Sequence, residues 1–259
     1  MPTHADHPYP LIPTPSSAKF QDPTLGKADL FTSLASDMAL VHNLIIRSIN
    51  SIALQAPHIT PPDMLPFCRY ILTFYSFLHI HHTSEEDSFF PAVEKMAGEK
   101  GVMDVNVEQH KVFEKGVEEL RGYVEGVLAG REEWNGGKVV GLVEGFGGSL
   151  VKHLGEEIAT LERLRRFGEG RMEGVVKLAE KEAERSMVQM GLAGIVWAMG
   201  HIDKEYEGGM WASWPPAPGP VKFLTENLLW RLYPGLVKFA ACDSHGKMKT
   251  LYAVPERES

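Results

Sequence analysis

Residues 71–89 read ILTFYSFLHIHHTSEEDSF. Within them Ile71, Phe74, Leu78, His81, Glu85 and Phe89 advance by three or four at each step, so all six share one face of a helix. That face is apolar at both ends. In its middle it carries a histidine and, one turn or ~5.4 Å further on, a glutamate. A helix that buries this stripe must bury an imidazole and a carboxylate with it.

Outward from this stretch the same periodicity recurs. The helix extends over residues 63–96, with Pro91 set to kink it or mark a boundary. Before it, residues 28–56 place Leu34, Met38, Val41, Ile45, Ile49 and Ile52 in register, and three prolines in the segment 56–63 end the pattern. After it, residues 102–128 align Phe113, Val117, Leu120 and Val124. Residues 138–166 then align Val139, Val143, Phe146, Leu150, Leu161 and Leu164. Four amphipathic helices with short connections predict an all-α, up-down-up-down four-helix bundle over residues 28–168. Residues 1–27, rich in Pro, Ser and Thr, read as a flexible arm. Residues 169–259, with Trp211, Trp214, Trp230 and Tyr233, read as a helical and irregular extension packed on the bundle.

Composition narrows the function classes. Hydrophobic residues make up 44% and charged residues 23%, which suits a soluble globular chain. A net charge of −8 with no basic run gives no electrostatic footing for nucleic acid or an anionic membrane. The longest apolar stretch, near residues 190–199, is about half of the ~20 residues that a membrane span needs. Cys68 and Cys242 form no CxxC pair, which argues against a disulfide framework or thiolate zinc site. With no recognisable signal peptide, the expected location is cytoplasmic.

Several of the 11 histidines fall within the helical patterns. His42 lies on the first apolar stripe, between Met38 and Ile45. His110 precedes Phe113 and Val117 on the third. On the fourth, Leu150, His153, Glu157 and Leu161 repeat the arrangement of His81 and Glu85. A lone histidine on an apolar stripe is more often a satisfied core residue than a ligand. Six such residues, distributed over four helices and facing one core, point instead to metal. Inward carboxylates and imidazoles on facing helices are how bundles hold di-iron and di-manganese centres. Two glutamates can bridge two cations. Without cations, burying them would cost several kcal/mol each or keep them protonated. Imidazole and carboxylate without thiolate suit Fe or Mn and do not exclude Zn. His82 and Glu86 sit ~100° around the helix, in line with Tyr75 and His79, and are expected beside the site or at the surface.

In order along the chain, HHTSEEDSFFPAVE (81–94), EQHKVF (108–113) and KHLGEE (152–157) resemble the motifs of the hemerythrin-like family, also called HHE cation-binding domains. The resemblance covers residues 28–168. HIDKEYEGGMWASWPP (201–216) is similar to the extension of fungal hemerythrin-like proteins. The resemblance implies two iron ions, with His42, His81, His110 and His153 as terminal ligands and Glu85 and Glu157 as bridges. Two departures stand out. Oxygen carriers of the family use a third-helix His-x3-His pair, and here Asn106 occupies the position four before His110. Their last carboxylate is an aspartate at longer spacing, and here it is Glu157. The lost position is either open or filled by another residue, with Glu114 and the pair His201 and Glu205 as candidates.

Three function classes follow from the resemblance: an O₂-binding or sensing protein, an enzyme that activates O₂ toward a small organic substrate, and a protein that handles iron or responds to peroxide or nitric oxide. The incomplete carrier set lowers the first. The aromatic extension reads either as a hydrophobic cover for a bundle end or as a wall of a substrate pocket, and the latter raises the second. An oxidase or oxygenase is therefore the leading expectation, with a non-catalytic binding or sensing role as the alternative.

Overall fold

A computed structural model describes residues 3–255. After a short helix α1 (Pro15–Gln21) come the long helices α2 (Leu30–Gln55) and α3 (Pro61–Ser84). Asp29 caps α2 by accepting from the Thr32 amide at 2.7 Å, which satisfies one of the free donors of its first turn. α3 starts on prolines, at positions where the missing N–H costs nothing. A π-turn over Glu85–Phe89 leads into α4 (Phe90–Ala97), and Gly98 ends that helix in the left-handed region at φ 68°. α5 (Asp104–Leu128) and α6 (Gly136–Arg163) complete the bundle. α7 (Glu169–Met172) and α8 (Val175–Met199) open the extension. Among the described residues there is no β-strand, and no helix is long and apolar enough to cross a membrane.

The expected break at Pro91 takes the form of the π-turn. Pro91 cannot donate to the carbonyl four residues back, and its ring crowds that carbonyl. The turn widens, and the Phe90 amide bonds to the Glu85 carbonyl instead. As a result both Phe89 and Phe90 are buried.

α2 packs along α6, α6 along α5, and α5 along α3. The fourth seam, between α2 and α3, is filled by α8, which lies mainly on α3. The bundle thus has a fifth wall. Trp197 from α8 enters the main core beside Phe77.

Two apolar clusters fill the interior. One takes Leu44 to Ile52 of α2, Phe67 to Leu78 of α3, Phe113 to Val127 of α5 and Val139 to Leu154 of α6. The other takes Phe31 to Ala39, Phe89 to Ala97 and Ile158 to Leu164. Each fully buried Ile or Phe contributes about 1.5–3 kcal/mol relative to exposure. Between the clusters, each long bundle helix passes through one polar layer.

Of the segment 1–27, the described residues, from 3 onward, are not the loose arm that composition suggests. Residues 3–14 run without a helix along α2, and α1 packs on the same helix. Asn50 accepts from the Tyr9 amide at 2.9 Å and donates to the carbonyls of Ala5 and Tyr9. Asn43 likewise accepts from the Ile12 amide at 2.8 Å and donates to its carbonyl at 3.0 Å. Tyr9 lies where a Cβ on Gly147 would collide with it. The extension is tied to the same helix: Arg47 pairs with Asp6 and Asp203 and donates to the His201 carbonyl at 3.1 Å.

Candidate metal centre

The polar layer gathers His42 from α2, His81 and His82 from α3, Glu85 from the π-turn, His110 from α5, and His153 and Glu157 from α6. Their donor atoms form two groups. Those of His42, His81 and Glu85 lie within 4.8 Å of one another, as do those of His82, His110 and His153. The two glutamates join the groups. Glu85 reaches His81 Nε2 at 3.3 Å with one oxygen and His110 Nε2 at 3.7 Å with the other. Glu157 Oε2 lies 3.5 Å from His42 Nε2 and 3.7 Å from His153 Nε2.

Hydrogen bonds at the back of three rings fix their tautomers. His42 Nδ1–H donates to the Leu154 carbonyl at 2.8 Å, so its Nε2 carries the lone pair. Gln109 donates its amide to Glu156 at 2.5 Å, which turns its oxygen toward His153. His153 Nδ1–H donates to that oxygen at 3.0 Å. His110 Nδ1–H donates to the Glu86 carboxylate at 2.6 Å. The Nε2 atoms of His110 and His153 then face each other at 3.0 Å, each with a lone pair and no proton between them. Two such lone pairs repel, and a cation between them removes the conflict.

The remaining inward atoms say the same. Nε2 of His42, His81 and His82, and all four carboxylate oxygens of Glu85 and Glu157, are buried without a hydrogen-bond partner. A buried unpaired polar group costs ~1–3 kcal/mol, and more when charged. Burial drives every ring toward neutrality. It lowers His81 to about 3, with the field of His110 adding to the effect, and His153 to about 2. His42 and His82 fall well below the ordinary imidazole value for the same leading reason. Burial raises Glu157 to about 8 and pushes Glu85 well up, with Glu157 and Glu86 adding repulsion. A metal-free layer is therefore neutral and starved of partners, a donor set that fits cations of the imidazole and carboxylate class.

His82 departs from the sequence expectation. It lies neither beside the site nor at the surface: its ring stacks on His110 at 4.1 Å and meets His153 at 5.5 Å. The Phe113 ring of α5 lies 5.3 Å from His82, while His81, one position earlier, faces His42 and Phe77. Two neighbouring positions, ~100° apart, can then both face inward. His82 thus brings an imidazole from α3 within 4.8 Å, donor atom to donor atom, of His110 and His153. Asn106 itself is buried one turn before His110, with neither amide atom hydrogen-bonded.

The other candidates lie elsewhere. His201 is buried outside the layer with both nitrogens engaged: Nδ1–H donates to the Trp197 carbonyl and Nε2 accepts from the Tyr70 hydroxyl, each at 2.7 Å. Glu205 and Glu114 are exposed. Glu86 is exposed at the rim, where it orients His110. Gln109 and the Leu154 carbonyl, which orient two rings, had no sequence signal beyond adjacency to the motifs.

Residues 34–164 match the family model of the hemerythrin HHE cation binding domain. The chain is also similar to the dimeric xanthone biosynthesis cluster protein R11 of Cryptosporiopsis sp. (strain 8999), at 30% identity over 254 residues, covering 97% of this chain and 93% of that protein. No solved structure matches it.

Proposed function

Because this chain belongs to the hemerythrin family of HHE cation-binding domains, we propose that its polar layer holds a pair of iron ions and uses them to bind and activate O₂ for an oxidation. His42 and His81 would hold one ion, His82, His110 and His153 the other, and Glu85 and Glu157 would bridge them. The observation that carries this reading is the approach of His110 Nε2 and His153 Nε2 to 3.0 Å while both Nδ1 atoms are engaged by oxygen acceptors. When bound, iron would supply an electron source and a Lewis-acid site for a small oxygen ligand.

The chain's own residues set the conditions. Leu154, Glu86 and Gln109 hold three imidazoles in the ligating tautomer, as outer partners of metal sites do. Phe77, Phe90 and Phe113 border the layer and keep its surroundings apolar. His81 and His82 are half-buried, against 0% exposure for His42 and 1% for His153, so small ligands would arrive along α3. The relative's place in a biosynthesis cluster favours a role on small organic molecules over iron storage.

Metal analysis after anaerobic ferrous loading tests this directly, with about two irons per chain expected. Uptake of one ion or none overturns the paired site. Stopped-flow absorption on mixing with O₂ then separates the roles: a stable, reversible spectrum supports carriage or sensing, and irreversible single-turnover oxidation supports the oxidase reading.

A further inference from the structure

We propose that Tyr70 is a one-electron redox site, with His201 as its proton acceptor, connected to the metal layer through Trp197 and Phe77. This rests on the metal reading above. The connection is a buried file of rings. The His81 and Phe77 centroids lie 6.4 Å apart, those of Phe77 and Trp197 4.9 Å, and those of Trp197 and His201 4.6 Å. The Tyr70 hydroxyl then meets His201 Nε2 at 2.7 Å. Tyr70, Trp197 and His201 are all at most 1% exposed.

The hydrogen bonding gives the pair a direction. His201 spends its one N–H on the Trp197 carbonyl, so Nε2 can only accept, and the Tyr70 proton points at it. The tryptophan indole N–H has no partner, although the ring lies between Phe77 and His201. A tryptophan placed only for structure would usually satisfy that donor. Phe67 and Phe239 stand 5.9 Å from the Tyr70 ring and shield it from water and reductants.

In the step, Tyr70 would give one electron to an iron pair near His81 that hydrogen peroxide, itself reduced to two waters, has oxidised beyond the diferric level. The phenolic proton moves along the hydrogen bond to His201 Nε2. The products are a neutral phenoxyl radical and an imidazolium, and return of the electron reverses both transfers. The oxidant is the iron pair after oxidation by a peroxide. Two cations face His201: Arg47 is offset by Asp6 and Asp203 at 3.1 and 3.6 Å, and Lys249 donates to the carbonyls of Val237 and Lys238.

The test is to load the full chain with ferrous ion, measure its iron, mix it with hydrogen peroxide and freeze-quench for electron paramagnetic resonance. An organic radical is expected whose hyperfine pattern changes when the unaltered chain carries ring-deuterated tyrosine. It should vanish in Tyr70→Phe at unchanged iron content. Its formation should slow in Trp197→Phe, and its lifetime should shorten in His201→Gln, each on the order of tenfold. Iron uptake with no tyrosine radical, or with one that persists in Tyr70→Phe, overturns the Tyr70 assignment and leaves the metal reading standing. Failure to take up iron overturns the metal reading and this one with it.

Discussion

Two groups of buried histidines can be compared within this molecule. In the polar layer, imidazoles turn lone pairs toward one another and toward carboxylates that have no donors. At His201, a few helical turns away from that layer, both nitrogens are paired at 2.7 Å with groups of the right sense. Burial and an apolar stripe are common to both. What separates them is whether the polar atoms are satisfied: a complete network leaves no lone pair for a cation, and an incomplete one leaves several.

The strongest way to break this comparison is to replace one group in each region. Glu157→Leu is expected to abolish uptake of both metals, since Glu157 touches both groups of ligands. The metal-free variant should nevertheless be more stable than the parent by about 1–3 kcal/mol, because an unpaired buried carboxyl is gone. His201→Phe should do the opposite and lower stability by a similar ~1–3 kcal/mol, because the Tyr70 hydroxyl and the Trp197 carbonyl lose their partner. Denaturant melts of the metal-free proteins read both signs. Equal signs would erase the distinction.

Within the layer, His82→Ala should cut the metal content from about two ions to about one, whereas His79→Ala, on the exposed face of α3, should leave it unchanged. If His79→Ala removes metal instead, the placement of His82 in the site fails. Glu86→Gln keeps every proposed ligand but weakens the orientation of His110. A loss of ~10–100-fold in metal affinity is expected, measured by competition with a chelator.

The satisfied histidine has its own pH signature. Burial, with Arg47 and Lys249 adding repulsion, lowers His201 from 6.5 to about 3. The unfolded chain therefore binds the proton first on acidification. The stability that depends on neutral His201 is complete above pH ~6.5 and is lost as the pH falls toward 3. The difference between parent and His201→Gln, both metal-free, cancels the contribution of the layer. That difference should shrink across this window, and a constant gap would show that His201 does not titrate there.

Much of this was legible in the chain. The stripes through Ile45, Leu78, Phe113 and Leu150 gave the four helices, and the interruptions at His42, His81, His110 and His153 gave the layer. These are local periodicities, and local periodicity survives in one dimension. His82 was not legible because its burial depends on His110, Phe113 and His153, which come from helices 28 to 71 residues downstream. His201 looked like a ligand because its i+4 glutamate copied the motif, while its true partner, Tyr70, is 131 positions away. The arm looked disordered because composition reports how little apolar surface a segment can bury. It does not report that Asn43 and Asn50 wait 31 and 41 residues away to receive its backbone.

The polar layer also divides the interior. Each apolar cluster draws on α2 and α6 and on the α3–α4 segment, and the layer separates one cluster from the other along those helices. Without cations that boundary is a belt of unmatched dipoles across the middle of the protein. Cooperative unfolding depends on coupling between parts, and here the coupling would pass through the ions. Amide exchange in the metal-free chain should therefore separate into two tiers of protection that meet at the histidines, and loading the site should merge them into one. The cations would then serve as a keystone, making one folding unit of two.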